Sequence, residues 1–126
     1  MRILLVLLVT FMIHATTFSQ NTVNKTPLLR HVVIFKFKDS STPDDVQKVA
    51  DTFAGLYGKV PQVKNFEWGI NNSPEHFNEG FTHCFILTFS SDKDLADYQL
   101  NPAHIEFQKV LKPHMEKVFV VDYWTK

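Results

Sequence analysis

The clearest signal of the fold is the run Leu29-Arg30-His31-Val32-Val33-Ile34-Phe35-Lys36-Phe37-Lys38. Successive side chains of a β-strand point to opposite faces, and the middle of this run is apolar on both. Val33 and Phe35 lie on one face, and Val32 and Ile34 lie on the other. A strand of this kind has to be covered on both sides. We therefore predict a strand that lies between two apolar layers.

The rest of the chain predicts three further strands and three helices. A helix follows Thr42-Pro43 with apolar residues at helical spacing up to Tyr57, and Gly58 and Pro61 end it. Strands are predicted over 63–70 and 81–89, with an exposed loop over 71–80 between them. Two helices over 92–100 and 102–112 come next. A fourth strand over 115–124 is again apolar on both faces.

This order of elements is that of a ferredoxin-like split βαβ sandwich, in the α+β class. Its four strands form one antiparallel sheet, and the helices pack on one face of that sheet. The helices leave the other face uncovered, although the first and fourth strands are apolar there. A second copy of the sheet is the simplest cover, so we predict a homodimer joined through the sheet faces.

The N-terminal segment predicts export. Arg2 is followed by an almost wholly apolar run over 3–13, which is too short to span a bilayer, and then by small and polar residues. We expect a signal peptide over 1–19, a flexible lead-in over 20–28 and one domain over 29–126. The mature protein would be periplasmic or secreted, with no stable membrane insertion. The alternatives are a buried N-terminal helix or a retained anchor.

Composition argues against several classes of function. After the predicted cleavage the chain has 12 basic and 13 acidic residues and no basic stripe, so nucleic acid is not an expected partner. The sequence contains neither a glycine-rich phosphate loop nor a Gly-x-Ser-x-Gly elbow. No pair of histidines has a spacing that forces convergence on a metal ion, so we expect no metal and no cofactor. The single cysteine, Cys84, is expected to be a buried thiol.

The candidate catalytic residues are Tyr98 and His104, in the run Tyr98-Gln99-Leu100-Asn101-Pro102-Ala103-His104. Asn101 is a good N-cap and Pro102 suits the first helical position, so His104 falls at about the third. There the positive end of the helix dipole disfavours an imidazolium. A neutral imidazole beside a phenol is suited to general-base catalysis. The alternative is that this run serves only to cap the helix.

Four motifs, in order between Leu29 and about Trp124, resemble the stress-responsive A/B barrel (Dabb) domain family. They are His31 to Lys38, Trp68-Gly69, Glu79 to His83, and Asn101 to His104. The resemblance implies a dimeric α/β barrel with a ferredoxin-like protomer. In a plant polyketide cyclase of that family, a histidine after a Pro-Ala pair is the base for an intramolecular aldol closure. A tyrosine six residues earlier orients it; these two residues match His104 and Tyr98.

The resemblance also implies a set of substrate-binding positions. Two further pocket histidines of that cyclase match His31 and His83. Its apolar substrate pocket would lie near Phe35, Ala50, Phe53 and Phe85. For the two histidines, the alternative is a core position with satisfied hydrogen bonds.

Three hypotheses for function follow. The first is a lyase- or cyclase-like general-base enzyme with a small, apolar, carbonyl-containing ligand. The second is a non-catalytic binding or stress-stabilising protein whose own phenylalanines fill the pocket. The third is a cofactor-free monooxygenase of the related dimeric barrels. A cavity that reaches His104 would favour the first hypothesis, and a filled one would favour the second.

Overall fold

The computed structural model describes residues 25–126, and the predicted signal peptide lies outside these described residues. Four strands and four helical segments follow one another along the chain. They are β1 (Leu29–Phe37), α1 (Pro43–Ala54), α2 (Leu56–Lys59), β2 (Asn65–Ile70), β3 (His83–Phe89), α3 (Asp92–Leu100), α4 (Pro102–Leu111) and β4 (Met115–Trp124).

The strands form one antiparallel sheet in the order β2-β3-β1-β4. This is the arrangement of a ferredoxin-like α+β fold, so that prediction is confirmed. β1 lies in the middle, where Val33 pairs with Phe85 of β3 and with Val120 of β4. Hydrogen bonds between Leu28 and Thr125 extend the β1–β4 pairing by one residue in each strand.

The predicted boundaries differ from the observed ones by two residues or more at three places, one of which is the second strand, which begins at Asn65 rather than at residue 63. The first helix stops at Ala54, and a separate helical turn, α2, follows Gly55. The third strand begins at His83 rather than at residue 81. In front of it Glu79 and Gly80 both have positive φ, of 47° and 83°, which makes a sharp turn.

The core lies between the helices and one face of the sheet, and its centre is aromatic. Phe53 of α1 stacks on Phe107 of α4, with ring centroids 4.3 Å apart and planes inclined by 13°. The ring of Phe53 also packs against Phe35 of β1 and Phe85 of β3, with centroid distances of 5.8 and 4.7 Å. The odd-numbered side chains of β1 face this core. The alternation of apolar residues in the sequence therefore predicted the faces of this strand correctly.

β4 is one of the two edge strands, and its side chains are exposed on both faces. Phe119 is 53% exposed on the face without helices, beside Val121 and Tyr123. Val118 and Val120 are 45% and 46% exposed on the helical face. Cys84, predicted as a buried thiol, is only half-buried, because it lies on the open face of β3. Within residues 25–126, no helix has the length and apolar character to cross a membrane.

Candidate functional site

A cavity of about 600 Å³ lies between the helical face of the sheet and α4. Strands β1 and β4 form one wall, and α4 with the end of α3 forms the other. The lining residues are His31, Val33, Phe35, Phe53, Tyr98, Gln99, His104, Phe107, Gln108, Leu111, Lys112, Met115, Val118 and Val120. Most of this lining is apolar, and three titratable aromatic side chains meet at one end.

His104 occupies the predicted third position of α4. Pro102 is the first helical residue, and the Asn101 side chain accepts a hydrogen bond from the Ala103 amide at 2.9 Å. The Nδ1 of His104 lies 3.2 Å from the carbonyl oxygen of Gln99. A carbonyl only accepts hydrogen bonds, so Nδ1 carries the proton and Nε2 keeps its lone pair. Burial is the main reason that the pKa of His104 lies below its ordinary value.

Tyr98 lies at the end of α3 and is fully buried beside His104. The two ring centroids are 4.4 Å apart. The Tyr98 hydroxyl has no hydrogen-bond partner among residues 25–126. Burial also raises the pKa of Tyr98, so the hydroxyl keeps its proton and remains a donor. An unpartnered buried hydroxyl costs stability, and Tyr98 lines a cavity in which a ligand atom could accept a hydrogen bond from it.

His31 and Asp122 form a pair at the same end of the cavity. The two residues face each other across the β1–β4 pairing, and His31 Nδ1 lies 2.6 Å from Asp122 Oδ1. The His31 ring is buried, and its centroid is 6.0 Å from that of Tyr98. The carboxylate accepts a hydrogen bond from Nδ1–H, which fixes how the imidazole is turned toward Tyr98.

Five of the eight candidate site residues line this cavity: His31, Phe35, Phe53, Tyr98 and His104. His83 lies outside it, at the other end of the sheet. Because β1 and β3 are antiparallel, His83 pairs with Phe35 while His31 pairs with Leu87. The His83 ring stacks on Trp68 with centroids 6.1 Å apart, and Thr82 Oγ1 lies 2.8 Å from its Nδ1.

The other two candidates outside the lining are Ala50 and Phe85. Both are fully buried in the core, Ala50 on α1 and Phe85 on β3. The Phe85 ring packs against Phe35 and Phe53, which do line the cavity.

The sequence analysis missed Asp122, Gln99, Gln108 and Lys112. Asp122 had a signal in the sequence, since it is one of two acids, with Glu116, at the alternate positions of β4 that include Val118 and Val120. The sequence could not predict that Gln99 accepts a hydrogen bond, because its backbone carbonyl rather than its side chain makes the contact. Among residues 25–126 no group of three potential metal ligands comes together.

Comparison with known proteins identifies the family of this chain. The model of the Stress responsive A/B Barrel Domain matches residues 29–125. Olivetolic acid cyclase from Cannabis sativa is 32% identical over 95 residues, which are 75% of this chain and 94% of that protein. The solved structure of hydroxynitrile lyase from Passiflora edulis has a TM-score of 0.75 and 27% identity. That comparison covers 81% of this chain and 96% of the lyase.

A second similar structure supports the fold assignment. It is a protein of unknown function from Bacteroides fragilis, described as dimeric with a ferredoxin-like fold. Its TM-score is 0.65 at 24% identity, over 78% of this chain and 96% of that one. The match of the family model over nearly all the described residues, with the ferredoxin-like sheet seen here, shows that the chain belongs to the stress-responsive A/B barrel domain family.

Proposed function

We propose that this protein is an enzyme that moves a proton next to a carbonyl group, in lyase- or cyclase-type chemistry. One observation carries the proposal: His104 and Tyr98 line the same apolar cavity, and the buried hydroxyl of Tyr98 has no hydrogen-bond partner among residues 25–126. The likeness to olivetolic acid cyclase and to hydroxynitrile lyase supports the reaction class. The space of about 600 Å³ beside His104 argues against a pocket filled by the protein's own phenylalanines.

In this mechanism His104 is the general base. Its Nε2 takes a proton from the carbon next to a carbonyl, and the C–H electron pair moves onto the carbonyl oxygen. The Tyr98 hydroxyl donates a hydrogen bond to that oxygen and stabilises the negative charge that develops there. In a cyclase the enolate carbon then attacks a second carbonyl of the same molecule. The alkoxide so formed takes the proton back from His104.

The lyase direction uses the same two groups. His104 takes the proton of a hydroxyl group, and the electron pair of that O–H bond forms a carbonyl as the neighbouring C–C bond breaks. The departing carbanion receives the proton from His104. His31, held by Asp122, is a positioning residue in both directions, because it packs edge-on against the Tyr98 ring.

Replacing the two central residues tests the proposal. We expect His104→Gln to lower turnover of poly-β-carbonyl compounds or hydroxynitriles by about 10²- to 10⁴-fold. Tyr98→Phe should also lower turnover, while the free energy of unfolding stays the same or rises, because the buried hydroxyl has no partner among residues 25–126. The control is His76→Gln, in the exposed loop. No turnover of either substrate class by the wild-type protein, or full turnover by His104→Gln, would contradict the proposal.

Two further proposals concern the assembly and the location of the protein. The open face of the sheet carries exposed apolar residues, among them Phe119 and Val121, and a homodimer would bury them. The dimeric state of the Bacteroides fragilis protein supports this arrangement. Export rests on the N-terminal sequence alone, and the mass of the mature protein from its native host would test cleavage after Ser19.

A further inference from the structure

The cavity is elongated, and its length measured along β1 agrees with its length measured along α4. On the sheet side it runs from His31 to Phe35, four residues along β1, or roughly 13 Å at the rise of a strand. On the helix side it runs from His104 to Lys112, eight residues along α4, or roughly 12 Å at the rise of a helix. The wall between the two ends is formed by apolar residues such as Val33 and Phe107.

The two ends of the cavity differ in charge. His104 has a lowered pKa and is neutral at neutral pH, and His31 is paired with the carboxylate of Asp122. Neither histidine therefore adds net positive charge to its end. Lys112 is the one lysine or arginine among the lining residues, and no aspartate or glutamate lines the cavity.

Lys112 is also free of a carboxylate partner in the described part of the chain. The two acidic residues nearest to it in sequence pair with other lysines. Glu106 lies 2.6 Å from the ammonium of Lys109, and Glu116 lies 2.9 Å from that of Lys36. Lys112 is exposed and also lines the cavity, so this residue lies where the cavity meets solvent.

We propose that the cavity takes an elongated carbonyl compound with a carboxylate at its far end. The carbonyl group lies against His104 and Tyr98, the apolar body lies along Val33 and Phe107, and the carboxylate meets Lys112. The inference rests on the proposed function for the carbonyl end only. A charged end at the mouth keeps part of its hydration, while the apolar body leaves water.

Ligand binding, measured apart from turnover, tests the carboxylate end. The probes are octanoate and 1-octanol, which share an apolar chain and differ in charge, titrated into the purified protein and followed by NMR. We expect octanoate to bind about fivefold more tightly than the alcohol, since an exposed ion pair contributes up to about 1 kcal/mol. Lys112→Gln should remove this preference and Lys112→Arg should keep it. The preference should also shrink at high salt.

Lys109→Gln is the matched control, because it removes a lysine from the same helix outside the cavity. Equal binding of the two probes, or a preference that survives in Lys112→Gln, would overturn the inference. Octanoate binding should also persist in His104→Gln. If carboxylates bind through Lys112 while the wild-type protein turns over none of the carbonyl substrates, the proposed function is wrong and only the carboxylate end of this inference stands.

Discussion

At the scale of single residues, the neighbours of His104 keep its imidazole neutral. Burial disfavours the charged form, the positive charge of a protonated His31 would add to that effect, and the Gln99 carbonyl opposes both. Burial dominates, so the pKa lies below that of a free histidine. A base with this pKa is unprotonated, and able to accept a proton, over more of the pH range.

The lowered pKa predicts how stability depends on pH. The unfolded chain binds a proton on His104 more tightly than the folded protein does, so protonation favours unfolding. The contribution of His104 to stability is complete above about pH 6.5 and is lost as the pH falls below that value. We expect the free energy of unfolding in urea to fall less between pH 7.5 and 5 in His104→Gln than in the wild-type protein.

His76→Gln is the control, because His76 lies in an exposed loop. It should keep the wild-type dependence on pH. A dependence that is identical in His104→Gln would contradict the low pKa of the folded state. His83, whose pKa is also lowered by burial, should contribute in the same direction in all three proteins.

Of the site residues, those placed by local sequence could be predicted and those placed by the sheet could not. Asn101, Pro102 and His104 are fixed relative to one another by helix capping, which depends on neighbouring residues only. The pairing of His31 with Asp122 joins residues 91 positions apart. It depends on the β1–β4 register, and a shift of one residue would turn Asp122 to the other face.

At the scale of elements, the cap of α4 connects helix stability to the site. Asn101→Ala removes the hydrogen bond that the Ala103 amide donates to the side chain, and should cost about 1 kcal/mol of stability. It should also move His104 relative to the Gln99 carbonyl, so the NMR-measured pKa of His104 should change. Thr42→Ala removes the corresponding cap of α1.

Thr42→Ala is a matched control because α1 begins away from His104. It should cost a similar amount of stability and leave the pKa of His104 unchanged. An equal change of this pKa in both variants would mean that the cap of α4 does not position His104.

α3 and β4 follow their predicted bounds because the cap at Ser91 and the break at Pro113 lie in the local sequence. The break at Gly55 was missed, because Gly55 itself keeps helical dihedral angles.

At the scale of the whole molecule, the arrangement of the sheet explains why one chain leaves apolar side chains exposed. The helices cover one face of β1 and β3, while β4 extends beyond them as an edge strand. Alternation alone predicted that β1 and β4 would be apolar on both faces. Alternation could not predict the strand order. That order places β4 at an edge of the sheet and leaves it exposed on its helical face as well.

The homodimer predicts a specific effect of charge on the open face. Phe119 is exposed there, next to Val121 and Tyr123, and Phe119→Asp would place a carboxylate between the two sheets. Burying an unpaired charge costs several kcal/mol, so the variant should be a monomer by light scattering where the wild-type protein is a dimer. Leu100→Asp, at a 77% exposed position on α3, should stay dimeric. A monomeric wild-type protein, or a dimeric Phe119→Asp, would show that the open face is not the interface.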